Sequence, residues 1–427
     1  MPNNRWFFVV VAMIVAACGD SGPSQYGSGG APGSGAVGAG GAGGQSGSGG
    51  TGGQAGAGGG SGGTPGPTAT KWHPGIYVKL EDWQLQSASE MSDVYDELKN
   101  TPQLRGIRVT VLWGRYEARD PKTGISKYDF SQLDKILSKL ATLNDKHMIL
   151  SFAWREFKQS NGATNILPND LQGGAPWNDD PTWAHTKYDH LWAYKMSVQP
   201  GAYGYNMKLW NPTLISRVDA FLAALGAHLD GHPHLAVVST TESAIGAPII
   251  AFQTGESAVK QQEGQLSVIR MLRKHFPTCA TIPDLNFSRE HVAGVVAILQ
   301  SEGIGLGSSN SNLANGLNLT TPPYPGVLTY YPALSDKAAL APEIQGDDYN
   351  YKNSDDTVPD YPSYQYLYLR VRNDLKANYT VMQRNVPFWK GNATTPSMLK
   401  FIQTYPAITG DSTGAGGLNP VKPSNLP

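Results

Sequence analysis

Leu235-Ala236-Val237-Val238-Ser239-Thr240-Thr241-Glu242 is an apolar, β-branched run that ends on a carboxylate. A second run, Ala339-Leu340-Ala341-Pro342-Glu343, ends the same way. Both read as β-strands, and the chain around them alternates strand-like with helix-like segments. Upstream lie strands at 76–80, 104–113 and 147–152, separated by amphipathic helices at 89–99 and 129–143. Ser87 or Ser89 is placed to cap the first helix. Helices are expected at 212–229, 258–275, 288–300, 364–376 and 395–403, with strands at 280–287, 304–309 and 380–382. This makes eight strands, with the Glu242 strand fourth and the Glu343 strand seventh. Strands alternating with helices imply a parallel sheet. A closed α/β architecture, the (β/α)8 TIM barrel, is favoured over a doubly wound sheet. No glycine-rich first turn marks a dinucleotide crevice, and polar residues recur at strand ends. Residues 157–210 fit no regular period and hold Trp177, Trp183, Trp192 and Trp210, so a long Trp-rich loop is expected after the third strand.

Two glutamates at the C-terminal mouth of such a barrel have a chemical meaning. Glycosidic bond cleavage needs one carboxyl to protonate the leaving oxygen and a second to attack or to guide water. The retaining arrangement holds them about 5 to 5.5 Å apart and the inverting one about 6.5 to 9.5 Å apart. The acid must keep its proton near neutral pH, so it needs less polar or more negative surroundings than its partner.

On these residues the region 73–407 resembles the retaining glycoside hydrolases built on (β/α)8 barrels, often called clan A. The resemblance implies that Glu242 is the general acid/base and Glu343 the nucleophile. It also implies a substrate-side role for Arg108, in Gly106-Ile107-Arg108-Val109-Thr110, and for Trp389, in Pro387-Phe388-Trp389. Arg108 would hold the nucleophile ionised. Tyr331, or Tyr330 beside it, would stand where the clan hydrogen-bonds its nucleophile. The clan usually has Asn before the acid/base to bind the sugar 2-hydroxyl; this chain has Thr241, which offers one hydrogen bond with less reach. That departure leaves open a barrel that binds sugar without cutting it.

Aromatic rings give sugars a flat surface to stack on. Trp83, Trp113, Trp154 and Trp389 each follow or end a strand, and Asp284 and Asn286 close the fifth. The substrate-binding set is therefore read as Arg108, Trp113, Trp154, Thr241, Asn286, Tyr331 and Trp389. Glu117 and Glu156 are expected to pair with nearby arginines such as Arg115 or Arg155, and Asp347 and Asp348 to sit in a solvated turn. The histidines, among them His147, His185, His190 and His291, show no metal spacing, and no cofactor is called for.

The rest of the chain bounds the setting. A net charge of −1 and a pI near 6.8 argue against nucleic acid or anionic lipid as partner. Arg5 followed by a short apolar stretch reads as an export signal, too short to span a bilayer. Val15-Ala16-Ala17-Cys18-Gly19 resembles the bacterial lipobox, which implies lipidation at Cys18. Residues 19–67 are nearly all Gly, Ser, Ala, Thr, Pro and Gln and form a flexible tether. Residues 68–427 then form the catalytic domain. Cys279 lies in an apolar run and is read as a buried structural thiol. No Gly-x-Ser-x-Gly elbow occurs in the folded region. The sum is a monomeric, exported, lipid-anchored hydrolase of a poly- or oligosaccharide. The alternative is a non-catalytic carbohydrate-binding lipoprotein on the same barrel.

Overall fold

Eight parallel strands run in chain order around a barrel: β1 (Gly75–Leu80), β2 (Leu104–Val111), β3 (His147–Phe152), β4 (Leu235–Thr240), β5 (Ala280–Ile282), β6 (Leu306–Ser308), β7 (Leu340–Ile344) and β8 (Tyr379–Gln383). The computed structural model describes residues 70–158, 165–171, 190–195, 203–245, 247–248, 257–286, 289–311, 326–349, 364–384, 388–392 and 396–426. The export signal, Cys18, the tether at 19–67, Trp177, Trp183 and His185 lie outside them. β1 pairs with both β2 and β8, and the ladder continues through β3 and β4 to β5 on one side and through β7 to β6 on the other. Backbone bonds close the seam between β5 and β6: Gly305 N–H donates to Thr281 O and Gly307 N–H to Pro283 O, both at 2.8 Å. The eight-stranded barrel expected from the sequence is therefore the fold.

The helices form where caps and apolar stripes coincide. Helix α1 (Ala88–Asn100) starts at Ser87, whose hydroxyl accepts from the Glu90 N–H, and buries Met91, Val94 and Leu98 on one face. Helix α2 (Ser131–Ala141) buries Leu133, Ile136, Leu137 and Leu140. Helix α3 (Pro212–Leu229) combines an Asn211 cap with proline in the first turn, and α4 (Ala258–His275) is capped by Ser257. Helix α5 (Arg289–Ser301) follows β5. The expected helix at 364–376 is shorter: α-helix covers Tyr364–Leu369, and a π-helical turn, Arg370–Asp374, completes it.

Two apolar cores result. The larger fills the space between strands and helices. The smaller lies inside the barrel, where Tyr77, Ile149, Val237, Ile282, Tyr379 and Val381 plug the N-terminal half. Gly106 is needed in this wall, because a Cβ there would lie 1.8 Å from the His147 carbonyl oxygen.

The segment read as irregular is the main correction to the fold. Arg155–Lys158, Leu191–Lys195 and Tyr203–Met207 are antiparallel strands, joined by Ala247–Pro248 from the β4 loop into a four-stranded sheet beyond the ends of β3 and β4. Its residues come from distant stretches, so no single window shows strand alternation. Among the described residues, no helix is long and apolar enough to cross a membrane.

Candidate active site

The inner face of the barrel changes character toward the strand ends. Lys79 on β1 and Arg108 on β2 are register partners, and both reach Glu343 at the end of β7. Lys79 Nζ donates to Glu343 Oε1 at 2.8 Å, and Arg108 Nη1 to Oε2 at 2.8 Å. Glu343 is 1% exposed, so two charge-assisted bonds fix a carboxylate that has no solvent to relax into. Burial alone would lower the Lys79 ammonium pKa, but Glu343 and Glu81 more than offset it, and the net shift is upward.

Glu242 lies two residues past β4 and is held differently. Oε1 pairs with Arg155 Nη1 at 2.7 Å, and Oε2 accepts from Asn286 Nδ2 at 2.6 Å. The Glu242 carbonyl accepts from Trp154 Nε1 at 2.9 Å, which fixes the backbone beneath the carboxyl. Arg155 comes from the first strand of the antiparallel sheet. It is buried over the Tyr194 ring, 4.4 Å from its centroid, and donates to Ala244 O at 2.6 Å. Asn286 Oδ1 accepts from the Ala244 N–H at 2.7 Å, so one amide side chain ties the β4 loop to the β5 loop.

A third carboxyl joins the two glutamates. Asp284, buried just past β5, lies 3.6 Å from Arg108 Nη2 and accepts from Ser309 Oγ at 3.3 Å. Ser309 Oγ is also 3.5 Å from Glu242 Oε2. A polar chain therefore runs Glu343, Arg108, Asp284, Ser309, Glu242 across five strand ends. Arg108 also donates to Ser151 Oγ and to the Thr240 carbonyl. Three cations, Lys79, Arg108 and Arg155, face three carboxyls.

Of the residues expected at the site, the structure brings together Glu242, Glu343, Arg108 and Asn286, with Trp154 underneath as a support. Others do not converge. Trp113 is fully buried and donates to Glu117 in the outer core. Trp389 is 1% exposed and donates to Glu97 Oε2 on α1 at 3.0 Å. Trp154 is fully buried too. None of these three rings offers a face to a sugar; each indole N–H found a partner inside the protein, and the ring followed it. Trp83 differs: it stands 54% exposed on a short turn just after β1. Tyr331 is buried, and its hydroxyl donates to Leu306 O at 3.0 Å rather than to Glu343. The Thr241 hydroxyl is covered and has no hydrogen-bond partner among the described residues, so as placed it presents no donor at the mouth.

The acidic residues also sort differently from expectation. Glu117 pairs with Arg217 instead of Arg115, and Arg155 serves Glu242. Asp348 is buried and accepts from the Gln345 N–H at 2.8 Å, so it is a turn-fixing group and not a solvated one; the Asp347 side chain lies outside the described residues. Lys79 escaped the sequence reading, although a lysine inside the apolar run Ile76-Tyr77-Val78-Lys79-Leu80 was a signal. Arg155 could not be placed without the antiparallel sheet. Cys279 is buried, and burial pushes its thiol up to about 12, which suits a structural role.

One cluster at the opposite end has metal-type residues. Side-chain donors of His73, Asp145 and His147 lie within 4.8 Å of one another. The two imidazoles, however, are stacked at 3.7 Å with 19° between their planes. Ring-nitrogen lone pairs lie in the ring plane, so stacked rings cannot aim at one ion. Asp145 already serves Arg105 and His147.

No protein-family model matches the chain, and no curated protein matches it. Its fold is similar to those of solved glycoside hydrolases. A β-glucanase from Saccharophagus degradans shares 15% identity over 77% of this chain and 85% of its own, with a TM-score of 0.41. A β-galactosidase from Marinomonas ef1 shares 11% over 74% and 55%, with a TM-score of 0.44. An exo-β-1,4-mannosidase from Opitutaceae bacterium strain TAV5 shares 13% over 83% and 58%, with a TM-score of 0.38. The chain spans a little over half the length of the last two. Likeness at this level carries no argument about this chain's activity or substrate.

Proposed function

We propose that the protein is a glycoside hydrolase that cleaves a poly- or oligosaccharide with retention of anomeric configuration. The observation that supports this reading is the unequal holding of two glutamates at the ends of β4 and β7. Glu343 is clamped by Lys79 and Arg108, as suits a nucleophile that must approach the anomeric carbon in one orientation. Glu242, whose side chain is 16% exposed against 1% for Glu343, stands nearer the mouth, where a leaving oxygen would sit. In the first step Glu343 attacks the anomeric carbon, the glycosidic bond breaks, and Glu242 gives its proton to the departing oxygen. In the second, Glu242 takes a proton from water, which displaces Glu343. Trp83 is the ring we assign to sugar stacking, and Cys18 the residue we assign to lipid attachment at the cell envelope.

The alternative, a barrel that binds sugar without cutting it, is favoured by the covered hydroxyl of Thr241 and by the full engagement of both Glu242 oxygens. One assay separates the two readings. The protein, Glu343→Ala and Glu242→Ala are tested on aryl glycosides and on plant and microbial polysaccharides. Loss of turnover in Glu343→Ala, with azide restoring it as a glycosyl azide of inverted configuration, is the expected result. Saturable sugar binding without turnover, unchanged by either substitution, would leave only the binding protein.

A further inference from the structure

The acid/base role of Glu242 raises a question that the two glutamates alone do not answer. Its Oε1 is paired with Arg155 and its Oε2 accepts from Asn286, so a proton must be delivered to an oxygen that already has company. Ser309 links Glu242 to another carboxyl: it reaches Glu242 Oε2 at 3.5 Å and Asp284 Oδ1 at 3.3 Å. We infer that Asp284 holds the catalytic proton between turnovers and that the Ser309 hydroxyl relays it to Glu242. This rests on the glycosidase reading and deepens it, since Asp284 acts through Glu242 and never touches the sugar.

The surroundings of Asp284 suit that task. It is 4% exposed, and Ser309 is 3% exposed, so no bulk water competes for the proton. Arg108 on β2, Glu343 on β7, Glu242 after β4 and Lys79 on β1 all act on it electrostatically, and Tyr331 packs close enough to feel its charge. Burial is the largest influence and raises the Asp284 carboxyl; Arg108 opposes it, Glu343 and Glu242 reinforce it, and the result is about 7. Lys79 also opposes it, more weakly. Below that pH the proton is on hand.

The chemistry supplies the trigger for release. As Glu343 forms its bond to the anomeric carbon it becomes a neutral ester, and Arg108 loses its closest counter-charge. The Arg108 guanidinium, 3.6 Å from Asp284 Oδ2, then favours the Asp284 carboxylate. The Asp284 proton passes to Ser309 Oγ, the Ser309 proton passes to Glu242 Oε2, and the Glu242 proton goes to the leaving oxygen as the glycosidic bond breaks. In the second step one water proton returns along the same path while the hydroxyl displaces Glu343, so charge and protons balance over the cycle. Both links are at the long end of hydrogen-bond range, and such contacts commonly tighten when substrate is bound.

The test compares wild type with Asp284→Asn, Ser309→Ala and Ser309→Thr, on a glycoside with a poor leaving group and on an activated aryl glycoside. Asp284→Asn and Ser309→Ala are each expected to lower kcat/KM on the poor leaving group by about 10²-fold. On the activated aryl glycoside each loses less than about tenfold, because little acid assistance is needed. Ser309→Thr, which keeps the hydroxyl, restores most of the loss. The alkaline limb of kcat/KM moves acidward in Asp284→Asn. Difference infrared spectra between about pH 5 and about pH 9 show a protonated-carboxyl band in wild type that Asp284→Asn removes. Equal losses on both substrates, or an unmoved alkaline limb with the band retained, would overturn the relay while the glycosidase reading stands. A wild type that cleaves no glycoside removes both together.

Discussion

The two ends of this barrel are both rich in ionisable side chains, yet they handle charge in opposite ways. At the N-terminal end, polar groups are satisfied mainly by backbone. Lys146 Nζ donates to the carbonyls of Thr101, Pro102 and Leu104, Lys71 Nζ to those of Asp230 and His232, and a His234 ring nitrogen bonds the Lys146 carbonyl. Two of the imidazoles there, His73 and His147, are kept neutral. Burial, helped by neighbouring cations and imidazoles, drops His73 to about 3; burial and Arg105 drop His147 to about 4, with Asp145 opposing. At the C-terminal end, charges meet charges from other strands, and each carboxyl is shared between side chains that a substrate could rearrange. Buried ionisable groups are thus no mark of a site by themselves. What distinguishes the mouth is that its carboxyls are paired with cations contributed by other strands.

That contrast breaks first at Glu343, the proposed nucleophile. Glu343→Gln keeps the volume and removes the attacking oxygen's charge, and turnover should fall by about 10⁴-fold or more, read as kcat on an aryl glycoside. Retained turnover would end the catalytic assignment of the mouth. Next in size is Arg108→Met, which leaves the buried Glu343 with Lys79 as its one remaining cation among the described residues. Denaturant unfolding should show a loss of about 3–5 kcal/mol along with loss of activity. A small loss would mean that Lys79 alone suffices.

The N-terminal end makes a prediction of its own, with a definite sign. A histidine near 6.5 when unfolded and near 3 or 4 when folded binds more protons in the unfolded state between those values. Its contribution is complete above about pH 6.5 and is lost progressively as pH falls toward about 4. Urea midpoints should therefore decline over that window, and His73→Phe should flatten the decline without altering kcat at neutral pH. Asp284 at the mouth has the opposite sign, since its folded value lies above 3.8: it favours the folded state more as pH falls from about 7.

How much of this was legible in the sequence follows from how local each signal is. The eight strands and most helices were legible because a strand's apolar run or a helix's stripe and cap lie within one short window. Glu242 and Glu343 were legible because they end such runs. Lys79 and Arg108 meet at Glu343 only through the register of β1 with β2 and the closure that brings β7 near, which no window contains. Arg155 depends on a sheet assembled from strands some fifty residues apart in the chain. The tryptophans misled for a related reason. Sequence places an indole at a strand end but does not say which way its N–H will find a partner, and Glu97, Glu117 and the Glu242 carbonyl drew three of them inward.

That last point gives the mildest prediction. Trp389→Phe keeps the ring in the outer core and deletes the bond to Glu97 Oε2, so stability should fall by about 1–2 kcal/mol with KM unchanged. Trp83→Ala should do the reverse: stability barely moves because the ring is half exposed, and KM rises by about tenfold through loss of one stacking face. A KM that responds to Trp389→Phe and ignores Trp83→Ala would move the sugar-binding surface away from the β1 side of the mouth. It would also show that the indoles buried here turn outward when substrate is present. The two substitutions together thus test burial itself as the criterion that separates supporting rings from binding rings.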